Sequence, residues 1–319
     1  MDSAMDYVTA FAPATVSNVA CGFDVLGFAL HEPGDEVSVR WTAAGVTIDD
    51  IVNDDRRLPR DAAKNTAGIA AAALLRVLGE RRGVGMTIRK GLPLSSGLGG
   101  SAASAVAAVV AVDALAGAGL PSDTLLSCAF QGERDGAGSA HADNIAPSLM
   151  GGFVLVRRPD PPDIIRLPVP EGLTAVVVHP DLEIETARAR ALLGTTVPLG
   201  DAIRQWANVG ALVDALHRRD FAQLARSLED AVAEPRRSVL LPGLDAVKKA
   251  AADAGALGCS FSGSGPSLFA LCDGPDIAGR VAAAMTQAVR THVAPASQTY
   301  VSAVARQGAR IVSPSTCSS

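Results

Sequence analysis

A glycine- and serine-rich segment is the feature that most limits how this chain can fold. Residues 93–104 read PLSSGLGGSAAS and follow a strand-like stretch at 84–89. The alanine- and valine-rich residues from Ser101 predict a buried helix. Glycines let backbone N–H groups approach an anion, and a helix N-terminus adds unpaired donors and a positive dipole end. The segment therefore predicts a phosphate site, although a tight turn that only joins a strand to a helix would use the same residues.

This segment differs from one well-known phosphate motif and matches another in part. A Walker loop ends in Gly-Lys-Ser/Thr, and no lysine lies between Lys90 and Lys248, so that motif is excluded. The run GLGGSA matches the G-x-G-x-x-A of dinucleotide-binding domains, which also need an acidic residue about 20 positions further on, at the end of the next strand. Asp123 lies near that distance but follows Pro121 and Ser122 in a helix-capping context. A Rossmann dinucleotide-binding domain stays open as an alternative.

The chain of 319 residues is long enough for about two domains. Strands are predicted at 7–12, 35–41, 84–89, 151–156, 174–179 and 299–304, with a further pair flanking 262–266. Helices are predicted at 66–78, from 101, and at 122–134, 201–217, 221–232, 243–255 and 276–291. The proline-dense stretch at 157–163 predicts a domain boundary. We therefore expect an α+β chain with domains at 1–160 and 161–310 and a flexible tail at 311–319.

Charge and cysteine usage narrow the classes of partner. Lys and Arg total 28 against 33 Asp and Glu, a net charge of −5, and no basic tract is present. The chain is therefore not expected to bind nucleic acid. The five scattered cysteines fit reduced thiols better than a disulfide framework. The acidic N-terminus is unlike a secretory signal, and the apolar stretch at 101–120 carries Asp113. We expect a cytoplasmic protein without a membrane segment.

Three motifs in order along the chain resemble one family. The segment P-x-S-S-G-L-G-x-S-A-A-S resembles the phosphate loop of the GHMP kinases. The run PATVSNVACGFDVLG at 13–27 and SGSGPS at 262–267 resemble the first and third motifs of the homoserine-phosphorylating branch of that family. This resemblance implies two α+β lobes, an N-terminal nucleotide-binding lobe and a C-terminal ferredoxin-like lobe, with the active site in the cleft. It also implies ATP, Mg²⁺ and L-homoserine as ligands, and it allows for a homodimer.

The same resemblance assigns residues to the nucleotide and the metal. Those assigned to ATP are Pro93, Leu94, Ser95, Ser96, Gly97, Leu98, Gly99, Gly100, Ser101, Ala102, Ala103, Ser104, Gly263, Ser264 and Gly265. Ser101 and Glu133 are assigned to Mg²⁺. Independently, Glu133 follows Leu126 and Phe130 at helical spacing and should face inward, near a helix C-terminus that disfavours a carboxylate unless a cation offsets it. An exposed glutamate paired with Arg134 or Arg82 is the alternative.

The acceptor must be inferred separately, because GHMP kinases phosphorylate sugars, mevalonate and amino acids alike. Asp24 lies in an apolar run and needs a partner, unless it only caps a turn. Thr186 and Arg190, four residues apart, and Arg237 lie in segments that resemble substrate-carboxylate elements, and the resemblance assigns all three to the substrate. An anion and two planar guanidinium groups suit a zwitterionic amino acid, whereas mevalonate has no ammonium group. Ordinary surface arginines are the alternative.

A loop at 138–147 completes the expected acceptor site. Asn18, His141, Asp143 and Asn144 are expected to contact or orient the amino acid, although His141 and Asp143 could also be read as a metal pair. Asn18, Asp24, Asp143, Asn144 and Arg190 are the expected catalytic residues. No lysine accompanies an aspartate in these motifs, so transfer is expected to rest on positioning and charge stabilisation without a dedicated base. Another small hydroxylated acceptor, or a non-catalytic metabolite sensor, stays open as an alternative.

Overall fold

The computed structural model describes residues 7–138 and 141–312, which form two lobes, each built on one sheet. The first sheet contains seven strands: β1 (Val8–Ser17), β2 (Leu26–Thr42), β3 (Val46–Val52), β4 (Gly83–Arg89), β5 (Phe153–Arg158), β6 (Asp163–Leu167) and β11 (Arg310–Val312). Its order is β11-β1-β2-β4-β3, with β5 paired to the other end of the long β2 and β6 paired to β5. The second sheet contains β7 (Leu173–Pro180), β8 (Gly258–Phe261), β9 (Leu268–Asp273) and β10 (Ser297–Ala303).

Ten α-helices cover the two sheets within the described ranges. The first lobe has α1 (Thr66–Leu78), α2 (Gly100–Ala116), α3 (Ser122–Ala137) and α4 (Ala142–Met150). The second has α5 (Thr186–Ala191), α6 (Leu199–Arg218), α7 (Phe221–Ser227), α8 (Glu234–Arg237), α9 (Leu244–Asp253) and α10 (Pro275–His292), and short 3₁₀ turns lie at Ala62–Lys64 and Ser238–Leu240. None of the helices in these ranges is both long and apolar enough to cross a bilayer.

Helix α2 occupies the centre of the first lobe. It lies against β1 and β2 on one side and against α1 and α3 on the other. Ten of its residues, from Ala102 to Val112, are buried, so the helix is apolar on all sides rather than amphipathic. The glycine-rich segment that precedes it is thereby fixed to the core of the lobe.

The second sheet has the strand order β10-β7-β9-β8, with antiparallel neighbours throughout. The chain passes from β7 through helices to the β8–β9 hairpin and then through α10 to β10. This is the order and connectivity of a ferredoxin-like lobe, as the resemblance predicts. In the first sheet β1, β2, β4 and β5 pair antiparallel, so the doubly wound parallel sheet of a Rossmann domain is not present.

The proline-dense stretch is a hairpin turn and not a linker. It joins β5 to β6, which pair with each other in the first sheet. The division between the sheets therefore lies after Leu167 rather than at the predicted 160/161. The chain also returns to the first sheet at its end, where β11 pairs with β1. Residues 311 and 312 of the predicted tail thus belong to a strand, and 313–319 lie outside the described residues.

The hydrophobic core continues from one lobe into the other. Phe28 of β2 lies 4.8 Å from Phe153 and 6.0 Å from Phe269, measured between ring centroids. Phe269 belongs to β9 of the second sheet and the other two rings to the first sheet. All three side chains are fully buried. The two lobes are thus packed together through a shared aromatic core.

Candidate active site

A cleft of about 430 Å³ lies between the lobes and brings together segments that are far apart in sequence. The first motif, the glycine-rich loop, the C-terminal half of α3, the start of α4, α5, Arg237 and the third motif all contribute to its wall. Most of the residues predicted from the sequence therefore face one cavity. Leu98 and Ala103 instead lie fully in the core of the first lobe, and Gly265 lies against Phe261, so these three predicted nucleotide residues stand behind the cleft surface.

Two glycines of the loop allow an approach that no other residue would permit. Gly97 has φ +76°, and a Cβ atom there would lie 2.5 Å from the carbonyl oxygen of Ser262. Gly99 has φ +68°, and its Cβ would lie 2.3 Å from Thr15 Oγ1. Side chains rarely adopt this backbone region, and contacts this short cannot form. The loop is therefore shaped by contact with both the first and the third motif.

Hydrogen bonds fasten the three motifs together. The Ser262 hydroxyl donates to Gly97 O at 2.7 Å, which links the second lobe to the phosphate loop. The Asn18 side-chain amide donates to Gly263 O at 2.9 Å, which links the second lobe to the first motif. The first motif meets the loop segment as well, since Thr15 N donates to Leu98 O at 3.1 Å. The three segments that carry the resemblance thus form one connected structure.

Glu133 faces inward and lines the same cleft, as its helical spacing predicts. Its side chain is only 3% exposed, and its Oε1 has no hydrogen-bond partner among the described residues. Burial raises the pKa of Glu133 to about 7, although the adjacent Ser101 hydroxyl and the Lys90 ammonium act in the opposite direction. Arg134 and Arg82 pair with Asp135 and Glu80, so the alternative of an exposed, paired Glu133 is wrong.

These properties fit a bound cation. A buried carboxylate oxygen without a donor is costly unless a positive charge reaches it. Ser101 and Glu133 both line the cleft and supply hydroxyl and carboxylate oxygens, the ligand type that Mg²⁺ prefers together with phosphate oxygens and water. Within 7–138 and 141–312, no group of three or more His, Cys, Asp or Glu side chains could hold a metal by itself. His141 and Asp143 are accordingly not part of such a group in the described ranges.

A buried charge cluster beneath the loop was missed in the sequence. Lys90 is 4% exposed and pairs with the buried carboxylate of Asp35. Its ammonium also donates to Gly100 O at 2.8 Å and to Ser104 Oγ at 2.9 Å, and Ser104 donates to Asp35 at 2.7 Å. The cluster therefore fixes the first turn of α2 to β2 and β4. Lys90 stands just before the loop and lines the cleft, and its position one residue before the glycine run was the available signal.

At the other end of the cleft, charged side chains surround Phe23. Arg190 donates to both carboxylate oxygens of Asp24 at 2.9–3.0 Å. The guanidinium groups of Arg190 and Arg237 lie 5.6 and 5.1 Å from the centre of the Phe23 ring. Arg237 is buried and donates to Ala189 O and Gly263 O. Burial, and then the neighbouring Arg190, lowers the pKa of Arg237. Arg237 is therefore not an ordinary surface arginine, whereas Arg190 is exposed and is held by its ion pair with Asp24.

Asp143 is a second buried carboxylate of the cleft. Asn18 N donates to its Oδ2 at 3.3 Å, and its Oδ1 has no hydrogen-bond partner among the described residues. Burial, and then the nearby Asp24, raises the pKa of Asp143 to about 7. Burial lowers the pKa of the adjacent His141. At a pH near 7, the unpartnered Oδ1 of Asp143 can accept a hydrogen bond from a hydroxyl group of a ligand.

The remaining predicted residues join the cleft through short contacts. Thr186 Oγ1 lies 3.2 Å from Ser264 Oγ, which connects α5 to the third motif. Asn144 Oδ1 accepts from Thr15 Oγ1 at 2.8 Å, beside Gly99. Cys21 of the first motif is buried, and burial raises the pKa of its thiol to about 12, so it packs rather than reacts.

The arrangement as a whole has the parts that phosphoryl transfer requires. A helix N-terminus with a glycine loop can hold phosphate oxygens, and a hydroxyl and a carboxylate beside it can hold a cation. A charged pocket on the same cleft can hold a polar acceptor. In-line transfer needs little from a protein beyond this positioning and charge stabilisation.

Comparisons with known proteins agree with this geometry. The sequence matches the models of the GHMP kinases N terminal domain over residues 65–152 and the GHMP kinases C terminal over residues 212–291. It is 46% identical to a homoserine kinase from Chlorobaculum tepidum, over 97% of this chain and 99% of the relative. It is also similar to the crystal structure of a homoserine kinase from Cytophaga hutchinsonii, with 49% identity, 98% and 99% coverage and a TM-score of 0.94. The likeness to L. major mevalonate kinase, with 18% identity, 92% and 94% coverage and a TM-score of 0.69, concerns the fold alone.

Substituting Gly99 by alanine tests the loop geometry. We expect Gly99→Ala to weaken ADP binding at least roughly tenfold, because its Cβ would displace Thr15 or Asn144 and so move the loop. Gly117→Ala is the matched control, since Gly117 ends the same helix with φ +64° but has open space around it. The control should lose about 1–2 kcal/mol of stability and no ADP affinity. Calorimetric titration measures the ADP affinity of the two variants, and urea unfolding measures their stability. Equal losses of affinity in the two variants would contradict the loop geometry.

The raised pKa of Glu133 predicts how stability depends on pH. The folded state of the ligand-free protein binds a proton here more tightly than the unfolded chain, so the free energy of unfolding should fall as pH rises from about 4.5 to about 7. Above that window the charged form costs on the order of 3 kcal/mol. Glu133→Gln should therefore be more stable than wild type at pH 8 and nearly equal to it at pH 4.

Urea unfolding of the ligand-free protein across this pH range measures the effect. Glu171→Gln, at an exposed carboxylate outside the cleft, should leave the curve unchanged. A Glu133→Gln protein that is less stable than wild type at pH 8 would show that the carboxylate is stabilised by a partner, and the cation-site interpretation would fail.

Proposed function

Because the chain belongs to the GHMP kinase family, we propose that it transfers the terminal phosphoryl group of ATP to the side-chain hydroxyl of L-homoserine, giving ADP and O-phospho-L-homoserine. The single observation that carries the choice of acceptor is the group of Asp24, Arg190 and Arg237 around Phe23. The product is the phosphate ester that threonine biosynthesis consumes. The near full-length likeness to homoserine kinases supports the same acceptor.

The nucleotide end of the cleft suits ATP. The β- and γ-phosphates would lie against the backbone N–H groups at Gly97–Ser101, where α2 begins with its positive dipole end. Leu58, Pro59 and Ile88 contribute apolar surface to the cleft wall, which suits a flat base. The segment that carries Leu58 is tied to the second lobe by the bidentate pair between Arg57 and Glu183.

Ser101 and Glu133 are the residues that would hold Mg²⁺. When bound, the ion neutralises charge on the phosphate oxygens of ATP. Glu133 lines the cleft and has a buried carboxylate oxygen, Oε1, without a hydrogen-bond partner among the described residues. Lys90 lies beneath the same turn of α2 and fixes Gly100 and Ser104 in place.

The acceptor end suits a zwitterion. Asp24 and Arg190 form an ion pair. A bound amino acid can replace this pair by two new ones, with its ammonium group against Asp24 and its carboxylate against Arg190. Arg237 supplies a second guanidinium for the carboxylate. Such an exchange replaces one charge pair by two, so the acceptor is bound without leaving any of the three side chains unpaired. Thr186 and His141 border the same pocket. A hydroxy acid without an ammonium group would leave Asp24 uncompensated.

The hydroxyl of the bound amino acid would be oriented by Asn18, Asp143 and Asn144. Asp143 Oδ1 is buried and lacks a donor, so it can accept the hydrogen bond of the attacking hydroxyl. In a loose transition state the hydroxyl loses its proton late, and the rate depends chiefly on alignment and on charge stabilisation. Transfer without a dedicated base therefore remains part of the proposal, with Asp143 in an orienting role. A purely sensing role is less well supported, because Ser101 and Glu133 both line the cleft.

The proposal also covers the cellular location and the oligomeric state of the protein. A cytoplasmic location is favoured by the use of ATP and by the four free, buried thiols of Cys21, Cys128, Cys259 and Cys272. Association into a homodimer stays a prediction.

An acceptor panel tests the proposed function. ADP release should require Mg²⁺ and should be fast with L-homoserine and near background with mevalonate and shikimate. Activity with one of the latter and none with homoserine would contradict the choice of acceptor, while keeping the kinase assignment. No ADP release with any acceptor would favour the sensing alternative.

Neighbouring arginines supply a matched pair of variants for the same assay. Arg237→Ala should lower kcat/KM for homoserine roughly 10- to 100-fold, because a charged hydrogen-bonded pair is worth about 1.5–3 kcal/mol. Arg236→Ala is the control, since Arg236 is bonded to Val232 O and does not line the cleft. Equal kinetics in the two variants would remove Arg237 from the site.

A further inference from the structure

A buried glutamine on α6 is hydrogen-bonded to two segments of the chain that carry residues of the acceptor end of the cleft. Gln205 is 7% exposed, on the face of α6 turned toward the first motif. Its Nε2 donates to Cys21 O at 2.6 Å and to Asp230 Oδ1 at 3.1 Å, and its Oε1 accepts from Ala231 N at 2.8 Å. The donors and the acceptor of this amide are therefore all engaged with two different segments of the chain.

The first of these segments is the turn that holds Asn18 and Asp24. Asn18, Val19 and Ala20 have φ values of 68°, 43° and 57°, and Asp24 has 58°. A left-handed turn of side-chain-bearing residues is strained, and strained turns persist only where their surroundings hold them. Inside the turn, Gly22 N donates to Asn18 O at 2.8 Å. From outside, Gln205 holds Cys21 O, three residues before Asp24.

The second segment begins the short helix that carries Arg237. Asp230 Oδ1 accepts from Val232 N and Ala233 N at 2.8 and 2.9 Å, and Oδ2 accepts from Glu234 N at 2.9 Å. Helix α8 starts at Glu234 and ends at Arg237. The Asp230 carboxylate therefore fixes the start of this helix, and Gln205 fixes both the carboxylate and the adjacent Ala231 N.

One side chain thus joins the turn of Asp24 to the helix of Arg237. These are the groups proposed above for the ammonium and the carboxylate of the acceptor. The distance between them must match the short span of an α-amino acid, and a shift of about 1 Å in such a clamp is costly for catalysis. We propose that Gln205 is a positioning residue that, together with Asp230, sets the spacing of the acceptor site. The inference rests on the proposed function, since it assumes an amino acid in this pocket.

Kinetics of Gln205 variants with both substrates test the inference. Gln205→Glu keeps the length of the side chain and an acceptor for Ala231 N, but it loses the donor to Cys21 O and places a carboxylate against Asp230. We expect KM for homoserine to rise roughly tenfold and KM for ATP to change less than about twofold, the size expected for the loss of buried hydrogen bonds on one side of the cleft. Gln205→Leu should have the same effect as Gln205→Glu, with a raised KM for homoserine and a nearly unchanged KM for ATP.

A control variant lies one turn further along the same helix. Asn208 donates to Glu229 O at 3.1 Å, next to Asp230, but makes no hydrogen bond to the first motif within the described chain. Asn208→Ala should therefore leave both KM values unchanged. Thermal melting with and without ADP reports whether each variant is folded and binds nucleotide.

The possible outcomes separate this inference from the function on which it rests. No turnover of homoserine by the wild-type protein would reject the proposed function. Normal wild-type turnover with an unchanged KM for homoserine in both Gln205 variants, or with equal rises in both KM values, would reject only the inference. Failure of both variants to fold would also reject it, because Gln205 would then serve the stability of the lobe and not the spacing of the site.

Discussion

The structure depends on the close approach of three backbone segments that only glycine allows. At Gly97 the phosphate loop of the first lobe lies against the Ser262 carbonyl of the second, and at Gly99 it lies against the side chain of Thr15. These contacts determine where α2 begins relative to the first motif, and hence where the N-terminal dipole of the helix points. The aromatic core around Phe28 and Phe269 is shared by the two sheets and holds the lobes together. The cleft therefore lies between two lobes that share one hydrophobic core and are joined by hydrogen bonds.

The buried charged groups of this cleft differ in whether their polar atoms have hydrogen-bond partners. Glu133 and Asp143 are buried with one unpartnered oxygen each, and burial raises the pKa of both to about 7. Such groups destabilise the ligand-free protein at neutral pH and are suited to partners that arrive with the substrates, a cation at one and a hydroxyl group at the other. By contrast, Lys90 with Asp35 is fully satisfied and serves to hold the loop. The unsatisfied groups therefore face the ligands, and the satisfied ones support the walls.

Local patterns were enough to predict much of this arrangement. The start and apolar character of α2 follow from local composition, the inward face of Glu133 follows from helical spacing, and the two-lobed class follows from the three motifs. What could not be predicted depends on partners far away in sequence: Lys90 and Asp35 are 55 positions apart, and Gln205 lies 184 positions from Cys21. The proline-dense stretch predicted a domain boundary, and this was wrong, because composition does not say that the strands on either side pair with each other. Register and pairing are properties of the folded sheet, so the division between the two sheets lies after Leu167 and not at the predicted 160/161.

The central claim is that the head of α2 holds the terminal phosphates of a nucleotide while Ser101 and Glu133 hold a cation beside them. A crystal structure of the protein with Mg²⁺, a non-hydrolysable ATP analogue and L-homoserine tests it most directly. We expect the phosphates to lie against the backbone N–H groups at 97–101, oxygens of Ser101 and Glu133 to bind the ion, and the amino acid to lie between Asp24 and Arg237. A nucleotide bound outside this cleft, or an ion that contacts neither Ser101 nor Glu133, would contradict it.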